Sequence, residues 1–432
     1  MCYICEAASL GWKLELPPEP LAPDALEAAG TGLESYTGAK PVWGLEQVIS
    51  NLLRSNASWG ADRSVAYSFR EALPPSADSD IAFRPFNGEE RAFAKLGFEL
   101  IGDLITLDFV ELPDDGLSTR SGNRIYLGVD TSQEDDAKGV WGYAQRWGGF
   151  RIAGAEVWTY AEATSGRDWI VGGYNHQALM HEILHAIGIP HPGDYNAGGE
   201  DAPPITYADN ARYAQDSRQF TIMSYFGGEN TGADYRMDSS NGLYSPSTPM
   251  LHDVAALQRL YGPDMTTRTG DTVYGYDSNA GRSVFDFDTR NANSIRTDGT
   301  YAPIFTIWDA GGTDTLNFSR TSVSVNLDLR QGAYSDAFEM TNNIAIAFGT
   351  VIENARGGRA ADVLRGNEIG NLIHGEDGAD QIFGREGRDV LFGDWGDDQI
   401  HGDEGDDALL GGSHDDRLFG GAGRDDLHGE WG

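Results

Sequence analysis

The spacing of apolar residues divides the chain into two stretches with different rhythms. Leu45, Val48, Ile49, Leu52 and Leu53 recur at helical spacing and predict a helix over 45–55. Phe93, Leu96, Leu100 and Ile101 do the same within Gly88–Leu104. Ser64–Phe69, Ile105–Leu112 and Arg124–Val129 alternate apolar and polar residues and read as strands. Val140–Gln145 and Ala155–Thr159 add two more, ahead of an apolar helix with Asn175 as its N-cap that runs to about Ile187. Leu251, Val254, Ala255, Leu257 and Leu260 set a last helix over Pro249–Leu260, closed by Tyr261-Gly262-Pro263. Strands mixed with helices of this kind predict an α+β fold, a twisted sheet with helices packed on it.

Beyond about 265 the helical rhythm stops and short apolar runs alternate with turns rich in Gly, Asp, Asn and Thr. Residues 357–428 then divide into eight nine-residue units without an insertion. Each unit opens with glycine. Its eighth position is apolar, from Leu364 to Leu427, and its sixth is acidic or amide: Asp362, Asn371, Asp380, Asp389, Asp398, Asp407, Asp416 and Asp425. This is the G-G-x-G-x-D-x-U-x nonapeptide of a parallel β-roll that binds calcium. The glycines make tight turns with exposed carbonyls, the aspartate adds a carboxylate, and the apolar residue stacks inward. Hard oxygen donors of this kind suit Ca²⁺. The opening units fit least well, because Asn371 replaces the aspartate and Ala360 the central glycine; sites there are expected to be weak or absent. The segments are read as an extension over 1–32, a globular α+β domain over 33–264, and an all-β parallel β-roll over 265–432.

One stretch carries the chemistry. His181-Glu182-Ile183-Leu184-His185-Ala186-Ile187-Gly188-Ile189-Pro190-His191-Pro192 reads H-E-x-x-H-x-x-G-x-x-H-P. Residues four apart share a helix face, so His181 and His185 can present imidazoles to one metal ion. Gly188 can end the helix in a left-handed turn, and the returning chain can deliver His191 as a third ligand. Three protein ligands with an open position describe a catalytic zinc site, and Glu182 is placed to act as general base.

Charge and cysteine usage narrow the class further. The formal net charge is −36, which argues against a nucleic-acid or anionic-membrane partner. Over 357–432 there are 19 acidic and 6 basic residues, a segment expected to stay unfolded without cations. No apolar run is long enough for a transmembrane helix, and Met1–Glu6 lacks the basic start and apolar stretch of a secretory signal. The only cysteines are Cys2 and Cys5, so no disulfide staples the main fold.

The combination resembles the serralysin family of bacterial secreted metzincin proteases, over roughly residues 35–428. Pro192 after the third histidine, the loop His191–Gly198, and Thr221-Ile222-Met223-Ser224-Tyr225 as a Met-turn carry the resemblance. So do Thr266–Gly275, Ile307–Thr315 and Ile344–Ala355 around the entry to the repeats. The resemblance implies one catalytic Zn²⁺ on His181, His185 and His191, with Tyr225 as a further resting-state ligand that later binds the tetrahedral intermediate. Met223 would be an apolar floor below the zinc. It also implies structural Ca²⁺ held by carbonyls of Arg268, Gly270 and Thr272 with Asp309, Gly311 and Asp314, and a second site of Gly312, Asp314, Val351 and Glu353. Asp380, Asp389, Asp398, Asp407, Asp416 and Asp425 would serve the repeats. A monomeric extracellular endopeptidase acting on protein or peptide substrates is expected, exported by type I machinery and met by a small protein inhibitor. An extended substrate would pair with the strand at Val140–Gln145.

Two features depart from that family. Cys2 and Cys5 have three readings: a local disulfide, half of a zinc-ribbon site, or a thiolate on the open zinc position that keeps a zymogen latent. The proline-rich leader (Pro17, Pro18, Pro20, Pro23) suits a removable pro-segment. The chain also stops inside a repeat at Gly429-Glu430-Trp431-Gly432. The competing class is a calcium-dependent β-roll adhesion or scaffold protein with a non-proteolytic metal site, against which the intact Glu182 weighs.

Overall fold

The computed structural model describes residues 38, 40–60, 64–73, 82–116, 124–131, 142–160, 169–195, 203–235, 244–288 and 303–431. Cys2, Cys5 and the 1–32 extension lie outside the described residues, so their three readings stand as expectations.

Residues up to about 262 form a twisted sheet with helices packed against it. Its strands are β1 (Ser64–Phe69), β2 (Phe83–Arg84), β3 (Asp108–Glu111), β4 (Arg124–Asp130), β5 (Gly142–Trp147) and β6 (Gly154–Tyr160). They lie in the order β3-β1-β4-β6-β5, with β2 paired to β4. β3, β1, β4 and β6 run parallel, and β5 closes the edge antiparallel to β6. The period-two pattern explains which face is covered. Val65, Tyr67, Phe69, Ile125, Leu127, Val129, Ala155 and Val157 all sit in one apolar core.

Helix α1 spans Leu45–Leu52, α2 Gly88–Gly102, α3 Tyr174–Ala186 and α4 Leu251–Tyr261. Asn87 caps α2 by accepting from the amides of Glu89 and Glu90, while Glu90 accepts from the Asn87 amide, a reciprocal box that satisfies orphan donors. α2 and α3 supply the other wall of the core, through Phe93, Ala94, Phe98, Ile101, Leu179, Met180, Ile183 and Leu184. Gly97 lets the two helices approach: a Cβ there would lie 3.3 Å from Ile183 and 3.4 Å from Met180.

The structure corrects two expectations. Asn175 does not cap α3; Gly173, in extended conformation, does, and its carbonyl receives the Gln177 amide. Asn175 is fully buried in the first turn instead. The strand read over Ile105–Leu112 is shortened to Asp108–Glu111, because the Thr106 amide is tied to the Gly262 carbonyl and Ile105 bridges to Pro263. The edge strand is described over Gly142–Trp147; Val140 and Trp141, where it was expected to begin, lie outside the described residues.

From Val273 onward the chain winds into parallel sheets. Asn326–Asp328, Val363–Arg365, Gln381–Glu386, Gln399–Glu404 and Arg417–Ala422 build a five-stranded one. The facing sheet has seven strands, running from Val273–Gly275 to Asp426–His428. Successive nonapeptides fall in alternate sheets, so Ile382 registers with Ile400 and Leu418, and Leu391 with Leu409. Leu364, Ile373, Ile382, Leu391, Ile400 and Leu409 are fully buried between the sheets. The roll packs on the first region: Tyr334 Oη donates to the Gln219 carbonyl at 2.9 Å, and Arg268 and Arg282 converge on Asp103.

Candidate metal centre

α3 packs against β5 and β6, and its second half carries His181, Glu182 and His185. The helix stops because Gly188 takes φ +116°, and a Cβ there would sit 2.2 Å from the Ala57 carbonyl. Ser55 Oγ donates to the Gly188 carbonyl. Asn51 Nδ2 and Arg54, at the end of α1, donate to the carbonyls of Pro192 and Gly193. The returning loop is thereby clamped with His191 facing the helix.

The three imidazoles meet. His191 Nε2 lies 3.1 Å from His181 Nε2 and 2.9 Å from His185 Nε2. Each Nδ1 faces a carbonyl: Ile222 at 2.7 Å, Ile189 at 2.7 Å and Tyr195 at 2.9 Å, for His181, His185 and His191 in turn. A carbonyl only accepts, so every Nδ1 carries the proton and every Nε2 presents a lone pair. Lone pairs facing one another at about 3 Å repel unless a cation lies between them, and hydrogen bonds from the far nitrogen are the usual support of a metal-bound imidazole. One ligand atom from each of the three lies within 4.8 Å of the others, close enough to share a metal ion. Burial pulls the pKa of His181 down to about 3, with His191 adding to the effect, and also lowers that of His185, with His181 and His191 adding to it. Neutral imidazoles are the ligand form.

Glu182 is buried beside the triad, and burial raises its carboxyl to about 8. Met223 is fully buried in the core. The Tyr225 ring stands edge-on to His191, with centroids 4.6 Å apart, and also neighbours Tyr195 and His181.

Two buried carboxylates that sequence reading passed over organise this centre. Asp253 accepts from the Ile222 amide at 2.8 Å, from Thr221 Oγ1 and from the Met250 amide. It therefore fixes the turn whose Ile222 carbonyl orients His181. Asp216 accepts from Tyr195 Oη at 2.7 Å and from Ser224 Oγ at 2.8 Å, and the Tyr195 carbonyl orients His191. Burial raises both carboxyls to about 6, against the hydrogen bonds that lower them. Asp253 left a signal, a lone acid in the first turn of an apolar helix; Asp216 lies in an irregular polar loop and left none.

The residues expected to bind calcium fall into two groups. At the roll entrance, Asp309, Asp314 and Glu353 are all buried. Asp314 Oδ1 accepts from the Thr272 amide and Glu353 Oε2 from the Asp314 amide, while Asp314 Oδ2 is buried without a partner. Gly312 faces the Gly270 carbonyl, where a Cβ would come within 2.5 Å. Arg268, whose carbonyl was expected here, places its guanidinium on Asp103 and the Ala280 and Trp308 carbonyls; Val351 is half-buried next to Ile352. Burial, with Asp309 close by, raises Asp314 to about 8, and burial raises Glu353 to about 7.

In the repeats the sixth-position carboxylates follow one rule. Oδ1 of Asp380, Asp389, Asp398, Asp407, Asp416 and Asp425 accepts the amide of the residue two units earlier. Oδ2 of the first five of these is buried with no partner. The two leading units differ. Asp362 gives both oxygens to the amides of Val325 and Gly358. Asn371 spends its amide protons on the Glu353 carbonyl and on Asn367. A row of unpaired carboxylate oxygens fits hard cations, and it begins where the sequence pattern becomes regular.

Comparison with known proteins gives the same outline. A family model described as Peptidase M10 serralysin C terminal matches residues 263–426. Serralysin C of Dickeya chrysanthemi is 38% identical over 341 residues, 78% of this chain. Serralysin B of the same organism is 36% identical over 342 residues, and the serralysin of Photorhabdus luminescens 36% identical over 323. The chain spans 66% of the length of each Dickeya protein, just under two thirds.

Proposed function

The chain is serralysin-like over most of its length, and on that premise we propose that it is a secreted zinc-dependent endopeptidase. The observation that carries the reading is the convergence of three Nε2 lone pairs, each imidazole held from behind by a carbonyl. His181, His185 and His191 hold zinc, which when bound supplies Lewis acidity and lowers the pKa of a water at the site.

The chain's own groups do the remainder. Glu182, desolvated next to the triad, takes the proton of the attacking water and returns it to the leaving amine. Tyr225, flanked by the His191 ring, donates its hydroxyl to the oxyanion. The substrate adds as a further strand to β5, whose outer edge is unpaired among the described residues. Pairing of that type reads backbone more than side chain. Asp309, Asp314, Glu353 and the row from Asp380 to Asp425 hold calcium and with it the roll. An N-terminal thiolate from Cys2 or Cys5 keeping the site latent, type I export and a small protein inhibitor complete the proposal.

Casein cleavage by the wild type, with and without a zinc chelator, and by Glu182→Ala tests the reading. It predicts loss of cleavage in both treatments with zinc retained in the variant. Chelator-resistant cleavage, or full activity in Glu182→Ala, rejects it.

A further inference from the structure

Arg146 sits on the edge strand that the proposed substrate would join. Along β5, Ala144 pairs with Val157 and Arg146 with Ala155, both fully buried. Arg146 thus projects to the face of the sheet that meets α3. Its guanidinium acts electrostatically on His185 and on Tyr261, the residue whose hydroxyl donates to the Ile187 carbonyl at the end of α3.

Among the described residues no acid pairs with this cation. Nη1 is buried with no hydrogen-bond partner, and Arg146 makes no ion pair among the described residues. Glu182, the acid of α3, is shifted by burial alone and not by Arg146. Arg70, by contrast, is paired: it lies between Asp114 and Glu156, over the Tyr126 ring. A guanidinium that is partly desolvated, without an ion pair among the described residues and set near the His185 imidazole is unfavourable on its own. It is favourable once a carboxylate arrives, because a charge-assisted pair then satisfies the stranded N–H.

We propose that Arg146 is a specificity residue that receives a carboxylate of the peptide substrate. The inference rests on the endopeptidase reading and on strand addition to β5. A residue paired opposite Arg146 shares its face of the sheet and brings its side chain next to the guanidinium. An acidic side chain near the scissile bond supplies the carboxylate, and a free C-terminus at that distance offers the same group.

The test uses the full zinc-loaded chain and end-blocked fluorogenic peptides in which one Glu, or its Gln counterpart, is moved through the positions flanking the cleavage point. A second set compares a free C-terminal carboxylate with its amide. We expect Glu to exceed Gln in kcat/KM by about tenfold at one position. The ratio falls to about one in Arg146→Gln, stays above one in Arg146→Lys and drops below one in Arg146→Glu. A preference confined to the second set assigns the carboxylate to the chain end. A ratio near one throughout, or one unchanged in Arg146→Gln, overturns the inference while leaving the endopeptidase reading intact. If one variant does not fold, the other two decide. If the wild type cleaves no peptide at all, the endopeptidase reading falls and takes the subsite with it.

Discussion

Asp253 and His181 are linked through a single peptide unit: the Ile222 amide donates to Asp253 at 2.8 Å, and the Ile222 carbonyl receives His181 Nδ1 at 2.7 Å. A carboxylate on α4 therefore sets the orientation of an imidazole on α3. Asp253→Asn keeps the shape and loses one strong acceptor. We expect zinc affinity to fall about 10- to 100-fold, the usual cost of removing an outer hydrogen bond from a metal ligand, read by competition with a chromogenic chelator. Unchanged affinity would show that the turn is held without Asp253.

Asp216 supports His191 in the same indirect way, through Tyr195. Tyr195→Phe removes the hydroxyl that donates to Asp216 and leaves a buried carboxylate short of a partner. A loss of about 1–3 kcal/mol in unfolding free energy is expected, measured by denaturant titration of the calcium-loaded protein. A larger loss of zinc than of stability would mean the pair serves the metal more than the fold.

Tyr225→Phe keeps the ring against His191 and removes only the hydroxyl. If that hydroxyl stabilises the oxyanion, kcat falls about 10²- to 10³-fold with little change in KM. An effect confined to KM would assign Tyr225 to substrate binding.

The repeat carboxylates allow a contrast between neighbours. Asp389 has an unpaired Oδ2, whereas both oxygens of Asp362 hold backbone amides. Asp389→Asn should raise the calcium concentration at which the roll folds, monitored by circular dichroism. Asp362→Asn should lower stability alike at low and high calcium. Equal calcium shifts in both variants would disprove the assignment by orphaned oxygen.

In calcium-free protein, burial raises Asp380 and Asp389 to about 8, and Asp398 and Asp407 to about 6. Carboxyls whose folded pKa lies above the unfolded value bind protons more tightly when folded. Stability is therefore highest below about pH 4 for these groups and is lost as pH rises to about 8. With saturating calcium the ionised form is the ligand, and the dependence reverses. Thermal midpoints in chelator and in calcium, recorded from pH 5 to 8, should slope in opposite directions; parallel slopes would refute it.

The histidine triad was legible because helical spacing and one glycine suffice to bring His181, His185 and His191 together. The nonapeptides were legible for a similar reason: a strict period fixes which side chains stack, and Ile382, Ile400 and Leu418 do register. What escaped was support arriving from far along the chain. Asp253 acts on Ile222, and Asp216 on a loop led by His191, with no periodic pattern to announce either contact. Asn175 was misread because a good capping residue is equally at home buried in the first turn once Gly173 takes the extended position. Arg146 lies one residue past the strand read from the sequence, and its buried, unpartnered Nη1 shows only in the fold.

His181, His185 and His191 are proposed to hold one catalytic zinc. Zinc content and endopeptidase rate, measured on the same preparations of wild type and His191→Ala, test it most directly. The account predicts about one zinc per wild-type chain, with metal and activity lost together in the variant. An active protein without stoichiometric zinc, or a variant that keeps both, would contradict it.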